Sequence, residues 1–511
     1  MSVFNVAKYD ARVEVFSHNV TFTRVKPDLR RALVDFSRGL MSFSKSYKPN
    51  RGFVDIPNKV YAASNPGRTF FRFHRHQLEE LMAYLERRGY KESRFEMVNE
   101  PPFRPVEVEF NSISGKEPRD YQIDTIEFFK SPGSCKVTTL QTGKGKSFIL
   151  LNAIKQIGVR TLIAIPGKYV YKWKGDVLEE FDMKSRDLMV IRGAKALISA
   201  INLGLSGELT AKIIIITSTT LYNFYKAFEH NKGGDYPCHP NDLMRVLGVG
   251  LKAIDEVHEN LHLNFKQDLY THVDKTIVLS ATLENDDRFI ESMMELAYPH
   301  RCRFNALEYD KYIAVTAIEY TVDDLDRFKY MGKNKMYSHN VFEQSILADK
   351  DRSEAYFGMI QKLVDDQFAA KWLDGLKYLV FCSSIEMCTA LAEYIRPFYS
   401  NWTVRRYTGD DPDEYLYESD LVITTLKSAG TAVDIPNLDS ALLTVAVGSK
   451  QLNEQAKGRL RKIKLYPDRT PRYFYLVACN IPKHVEYHQR KVTSFTGRVL
   501  SHKTLSSKFR I

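Results

Sequence analysis

Cysteine is scarce in this chain: six in 511 residues, and no two stand as CxxC. That excludes a disulfide scaffold and a zinc ribbon, and points to a reducing compartment. Cys238 beside His239, and the pair Cys382/Cys388, have no second ligand pair nearby, so neither reads as a metal site. Long apolar runs are also missing. None approaches the ~20 residues that span a bilayer, and the first ten residues hold no apolar leader core. The expectation is a cytoplasmic protein with no membrane partner. Low-complexity tracts and short repeats are absent as well. With 44% apolar and 26% charged residues, the composition is that of a globular chain, neither mainly disordered nor collagen- or mucin-like. The length allows ~3 domains.

Charge is present and unevenly spread. The formal net charge is +11. Residues 1–105 hold 19 Lys/Arg against 11 Asp/Glu, and residues 471–511 hold 8 against 1, so a basic head and tail flank a slightly acidic body. Such ends suit a polyanion, nucleic acid being the commonest. The plainer reading is solvated surface charge.

Residues 1–95 mix strand and helix patterns. Val13 and Val15 alternate with Arg12 and Glu14, as on a half-buried strand. Leu29, Leu33, Phe36 and Leu40 recur at helical spacing, and 52–75 read as strands around Ser64-Asn65-Pro66-Gly67. Leu78, Leu81, Met82 and Leu85 predict a second helix that stops at Gly89. Residues 1–105 are thus expected to form a small basic α+β accessory domain, ending in a Pro-rich linker, Glu100 to Pro105. From about 112, β-branched runs at 136–140, 161–165, 212–217, 250–255 and 275–280 alternate with helical stretches. A second series follows at 312–321, 377–383, 403–407, 420–425, 441–446 and 473–478. The pattern predicts an α/β chain with two parallel-sheet domains in tandem, 106–305 and 306–511.

The chemistry centres on Leu140-Gln141-Thr142-Gly143-Lys144-Gly145-Lys146-Ser147, set between a strand and a helix. A glycine-rich turn there aims backbone N–H groups and the helix dipole at phosphate. Thr142, Gly143, Lys144 and Gly145 would cradle it, Lys146 would reach the β/γ-phosphates, and Ser147 would bind Mg²⁺. Leu140 replaces the motif's usual first small residue. Asp255-Glu256-Val257-His258 ends another apolar strand. Asp255 can hold the Mg²⁺ of a bound nucleotide, and Glu256 can orient or deprotonate water. The bland alternative for adjacent acidic residues is a solvated turn.

In order and spacing, residues 112–465 resemble the superfamily-two helicases and translocases. Arg119-Asp120-Tyr121-Gln122 resembles the Q-motif that reads adenine, through Arg119 and Gln122. The glycine-rich loop is motif I. Ile165-Pro166-Gly167-Lys168, followed by Trp173, resembles motif Ia, and Thr217-Ser218-Thr219 motif Ib. Asp255 to His258 is a DExH-type motif II, and Ser280-Ala281-Thr282 is motif III. Val380-Phe381-Cys382-Ser383-Ser384 resembles motif IV, Thr424 to Asp434 motif V, and Gln455-Ala456-Lys457-Gly458-Arg459-Leu460-Arg461-Lys462 motif VI. Motif V carries Ala432 where glycine is usual, and motif VI carries Lys462 where its last arginine is usual. The arginine finger is therefore Arg459 or Arg461, with Arg459 at the motif position.

The resemblance implies two RecA-like domains that complete an ATP·Mg²⁺ site when they close. Lys146, Ser147, Asp255 and Glu256 come from the first, and Gln455, Arg459, Arg461 and Asp434 from the second. His258, Ser280 and Thr282 would couple hydrolysis to movement. Pro166, Lys168, Thr217, Thr219, Ser383 and Thr424 would grip nucleic-acid phosphates without reading bases; for each hydroxyl the alternative is a helix cap. In Arg68 to His76, Arg72 and Arg75 alternate with phenylalanines, either as a nucleic-acid surface or as a half-buried strand. The layout most resembles the UvsW-type helicases of tailed bacteriophages. That implies remodelling of branched, single- or double-stranded DNA and RNA–DNA hybrids in replication, repair and recombination. It also implies recombination or single-strand-binding proteins as partners, and the infected bacterial cytoplasm as location. The alternatives are a DExH-type RNA helicase, a motor subunit of a larger DNA-processing complex, and an inactive ATPase fold that only binds.

Overall fold

The computed structural model describes residues 9–48, 52–141, 143–230, 233–285, 287–304, 309–332, 335–409, 411–426, 428 and 435–511. The chain divides into two compact units, Met1–Leu307 and Glu308–Ile511.

The first unit opens with a five-stranded sheet in the order Ala63–Ser64, Phe71–His74, Asn19–Thr23, Ala11–Val15, Phe95–Asn99. Its last pair is parallel and the others antiparallel. The alternation expected around Val13 is present: Ala11, Val13 and Val15 are buried, Arg12 and Glu14 half-exposed. The helices Pro27–Arg38 and Leu78–Glu86 match the two predicted stripes. Leu40 falls outside the first, because the helix stops at Arg38 and Gly39 caps it. Gly89 ends the second with φ +87°, where a side chain would be strained. The strands expected within 52–75 are redistributed. Gly52–Val60 pairs antiparallel with Met41–Lys48 as a separate hairpin.

A six-stranded, wholly parallel sheet follows, ordered Leu188–Ile191, Ile213–Thr217, Thr161–Ile165, Leu251–Ile254, Lys275–Leu279, Cys135–Thr138. Its central strands, TLIAI and IIIIT, are buried at every position, which is why their sequences read as continuous apolar runs. Apolar layers cover both faces. One of these layers is continuous with the core of the small N-terminal sheet: Val13, Phe22, Phe71 and Leu81 belong to the same cluster as Val137, Leu162 and Leu261. The Pro-rich segment is no free tether. Glu100 N donates to Val15 O at 3.0 Å, and His272 Nε2 lies 3.0 Å from Pro101 O.

The second unit is a seven-stranded parallel sheet ordered Val404–Tyr407, Leu421–Thr425, Lys377–Cys382, Leu438–Leu443, Arg472–Ala478, Ala314–Thr321, Ser501–Arg510. Helices and apolar layers again cover both faces. The basic tail is built into this unit. Helix Pro482–Phe495 buries His484, Lys491 and Phe495, and the last strand pairs along Ala314–Thr321. Among the described residues, no helix is long and apolar enough to cross a membrane. The architecture is α/β: two units built on parallel sheets, the first carrying a small N-terminal mixed sheet with its two helices.

Candidate nucleotide site and its partners in each unit

In the first unit the phosphate-loop strand Cys135–Thr138 lies at the sheet edge. Strand Lys275–Leu279 sits beside it, and Leu251–Ile254 is next. Motifs I, III and II therefore leave the C-terminal ends of three consecutive parallel strands, where open α/β sheets bind ligands. Gly143 and Gly145 both have positive φ, +89° and +76°. Gly145 caps helix Lys146–Ile157, so the helix N-terminus opens onto the loop. A Cβ on Gly145 would come within 2.7 Å of Gln122 Nε2, so the loop is shaped to a residue without one. Thr142 lies outside the described residues.

The loop is braced from helix Asp120–Lys130. Gln122 Oε1 accepts from Arg119 N at 3.0 Å, and its Nε2 donates to Lys144 O at 3.1 Å. Tyr121 OH donates to the same carbonyl at 3.1 Å. Gln122 is thus buried and holds the loop backbone, while Arg119 is exposed. Lys146 Nζ donates back to Leu140 O at 3.2 Å.

Ser147 Oγ accepts from Lys172 Nζ at 2.8 Å, and Lys172 also meets Asp176 Oδ2 at 2.7 Å. Asp255 is buried, with both oxygens engaged. Oδ2 accepts from Trp173 Nε1 at 3.0 Å, and Oδ1 from Glu256 N at 2.9 Å. Burial first, then the Glu256 charge, pushes the Asp255 carboxyl up; Lys146, Lys172 and the Trp173 indole pull against this. Lys172 escaped the sequence reading. Its only trace there is the i, i+4 pairing with Asp176.

The next step of the site runs from motif II to motif III. Glu256 has φ +50°, a left-handed backbone uncommon for any residue but glycine. Its Oε2 lies 3.4 Å from His258 Nδ1. That nitrogen is 2.6 Å from Ser280 Oγ, whose own proton goes to Thr282 O. His258 Nδ1 therefore donates to Ser280. Burial holds the imidazole neutral, down to about 4. His258 Nε2 is buried with no partner among the described residues. The three residues expected to couple, His258, Ser280 and Thr282, are in direct contact.

The expected phosphate grips fare differently. Pro166 caps the turn Gly167–Tyr169, and exposed Lys168 pairs with Glu259 at 2.9 Å. Thr217 is buried and caps helix Ser218–Glu229, with its Oγ1 2.6 Å from Thr220 Oγ1. Thr219 is exposed. Arg72 corrects the surface reading of its strand. All four residues of Phe71–His74 are buried, and Arg72 donates to Thr21 Oγ1 at 3.0 Å and Asn241 Oδ1 at 2.8 Å. Its guanidinium also stacks on Tyr270, 4.9 Å from the ring centroid. Such a residue is packing, not a phosphate contact. Arg75 is half-buried.

In the second unit, Gln455 lies on helix Lys450–Lys457. Arg459 follows the helix and is only 5% exposed. Arg461 donates to the carbonyls of Gly458 and Leu460, within its own turn. Lys462 is exposed and pairs with Asp310 at 3.1 Å. Ser383 N donates to Glu343 Oε1 at 2.7 Å, and Ser384 N and Oγ donate to Glu343 Oε2 at 2.9 and 2.8 Å. Glu343, wholly buried, was invisible in sequence because it lies on a helix 40 residues upstream. Thr424 is fully buried and bonds the Thr425 carbonyl at 3.4 Å, so it does not face a ligand. The hydroxyl at the strand's end is that of Thr425, 2.9 Å from Ser428. Asp434 and residues 429–433 of motif V lie outside the described residues.

No group of three or more His, Cys, Asp or Glu suited to a metal occurs among the described residues. Ser147 and Asp255 are the donors that fit a cation carried by a nucleotide.

No family model and no curated protein sequence matches the chain. Solved structures that resemble it include T4 UvsW, at 13% identity and TM-score 0.35, covering 97% of this chain and 99% of that one. A fragment described as an HsdR subunit of a type I restriction enzyme from Vibrio vulnificus follows, at 15% identity and TM-score 0.49, over 76% and 69%. Dbp5 of S. cerevisiae, bound to RNA and ADP BeF3, matches at 11% identity and TM-score 0.48, over 77% and 90%.

Proposed function

We propose that this chain is an ATP-driven helicase or translocase, with branched DNA as its preferred track. One observation carries the ATPase reading. Buried Asp255 with half-buried Glu256, and a glycine-loop lysine and serine, leave the ends of parallel strands in one sheet, close enough for Lys146 to act electrostatically on Asp255. Solvated acidic turns do not place a fully bonded carboxylate beside a phosphate loop. Backbone N–H groups of the loop and Lys146 would bind the β/γ-phosphates. Ser147 and Asp255 would hold Mg²⁺, which supplies charge neutralisation on those phosphates when bound. Glu256 is the assigned base for the attacking water. Gln455 and Arg459, on the second unit, are assigned to the γ-phosphoryl group. The nucleic-acid part of the reading is supported by the net charge of +11 and by the motif order. DNA rather than RNA is favoured because no appended RNA-binding module is evident in the sequence.

The test is ATP turnover by the full chain with single-stranded, duplex, forked and four-way DNA and RNA in parallel. Stimulation greatest with forked or four-way DNA is expected; stimulation by RNA alone would overturn the DNA reading. In Lys146→Ala, turnover should vanish while nucleic-acid binding stays largely intact. Near-normal turnover in that variant would remove the motor reading.

A further inference from the structure

Cys302 closes the short turn His300–Cys302 at the end of the first unit. The residues after it are joined to the phosphate-loop strand: Val137 bridges Arg303 in parallel, and Phe304 N donates to Val137 O at 2.8 Å. Cys135 opens that strand, and Cys135 and Cys302 line one cavity. Cys302 Sγ also lies 3.7 Å from His76 Nε2. The other ring nitrogen of His76 is 2.9 Å from Ala297 O. A carbonyl can only accept, so Nδ1 carries the proton and Nε2 offers its lone pair to the thiol. This is the order of an activated nucleophile: thiol, base, and a group that orients the base.

Both cysteines are among the residues lining a cavity of about 630 Å³, with His76, Arg75, Arg301 and Lys136. Glu100 is the one carboxylate among its described lining residues. Glu295 is engaged by Arg303 at 2.7 Å, and Asp268 by Lys252 at 2.9 Å. The charges facing the sulfur are thus mainly positive. The neighbouring Cys135 thiol first, then His76 and Arg301, hold the Cys302 thiol well below the usual range against its burial, whereas Cys302 and burial push Cys135 up. Cys135 and Cys302 are themselves buried, 8% and 9% exposed at the cavity wall, whereas Cys382 and Cys388 lie in the core of the second unit with no exposure.

We propose that Cys302 is a modification site that exchanges with small anionic disulfides, and that Cys135 resolves the product into a Cys135–Cys302 bond. The Cys302 thiolate attacks one sulfur of the incoming disulfide, whose S–S bond breaks, and the departing thiolate takes the proton from His76. Cys135 then attacks the mixed disulfide at Cys302 and releases the second small thiol. Two protein thiols are oxidised to one disulfide, and one small disulfide is reduced to two thiols. The cations of the cavity match the carboxylates of such a reagent. The bond would tie the root of the phosphate loop to the last turn of the first unit.

Cys479 is exposed and serves as internal control. With the full chain and glutathione disulfide at pH 6.5, peptide mapping should find Cys302 modified about tenfold faster than Cys479, or more. The end product should be a linked Cys135/Cys302 peptide pair. In Cys135→Ser the glutathionyl group should remain on Cys302. In His76→Gln the rate at Cys302 should fall about tenfold, with Cys479 unchanged. A measurement on the unaltered chain guards against a variant that fails to fold. Alkylation by iodoacetamide between pH 5 and 8 should give a flatter pH profile at Cys302 than at Cys479. Faster modification of Cys479, or parallel pH profiles for the two residues, would overturn the proposal.

Discussion

Glu256 stands in a left-handed backbone conformation, φ +50°, one residue past the buried Asp255. Such strain costs on the order of 1–3 kcal/mol and is kept where surrounding contacts fix it. Here it turns the carboxylate off the strand axis and toward His258. If Glu256 is the base, Glu256→Gln should keep nucleotide binding, since Asp255, Ser147 and Lys146 remain, and lose turnover by ~10²-fold or more. Equilibrium binding of a labelled nucleotide beside single-turnover hydrolysis checks this; a variant unable to bind nucleotide would show that the residue is misassigned. The finger is decided the same way. Arg461 already donates to two carbonyls of its own turn, whereas Arg459 holds the motif position. Arg459→Ala should lower the hydrolysis rate far more than nucleotide affinity, because a finger acts on transition-state charge. Near-normal turnover in Arg459→Ala with a crippled Arg461→Ala would reverse the assignment. These residues were legible because phosphate chemistry restricts residue type and spacing. Arg72 was not. Alternation of charge and phenylalanine on a strand does not say which faces are covered, and here Tyr270 and Asn241 cover the charge from later in the chain.

At the scale of elements, the helix His339–Leu347 does for motif IV what helix Asp120–Lys130 does for motif I. Each sends one side chain to the backbone of a strand-end loop. Glu343 takes two N–H groups and one hydroxyl from Ser383 and Ser384, and burial pushes its carboxyl up to about 7 despite those bonds. The folded state therefore binds the Glu343 proton more tightly than the unfolded chain. Its contribution declines as pH rises from about 4.5 to about 7. Glu343→Ala leaves two buried N–H groups unpaired and should cost the second unit about 2–4 kcal/mol near neutral pH. Urea unfolding followed through Trp372 and Trp402 measures it, and a loss below ~0.5 kcal/mol would show that solvent replaces the carboxylate. The central strands were readable because burial on both faces writes them as apolar runs. The edge strands Leu188–Ile191 and Ser501–Arg510 were not. The first is only four residues and half-exposed. The second alternates small, basic and polar residues, and is a strand because Ala314–Thr321 offers it a partner edge.

Across the whole molecule, buried histidines set the response to acid. Burial lowers His18 to about 3 and His258 and His262 to about 4 in the first unit, and lowers His74 there too. In the second unit it lowers His484 to about 3 and holds His339 well below its usual value. Each holds a proton less tightly in the fold than once unfolded, where it titrates at about 6.5. Below that pH the unfolded chain binds more protons, so stability falls as pH drops from about 6.5 toward 4 and is fully present above 6.5. A histidine lowered to about 4 should contribute about 2 kcal/mol of this loss at pH 5, with the partly buried His262 contributing least. Asp255 and Asp274, pushed up, work in the opposite direction, but they are two groups against six lowered histidines in their unit, His239 and His272 included, while the second unit has four, with Glu343 opposing them. The first unit should therefore lose more stability to acid than the second. The chain's three tryptophans allow the comparison, since Trp173 lies in the first unit and Trp372 and Trp402 in the second. In a chain with both second-unit tryptophans changed to phenylalanine, the urea midpoint reported by Trp173 should fall steadily from pH 7 to pH 5. With Trp173 alone changed, the midpoint should fall by less. His258→Asn should flatten part of the first slope, because asparagine takes up no proton. A first-unit midpoint constant across that range would mean that these imidazoles are already protonated in the fold.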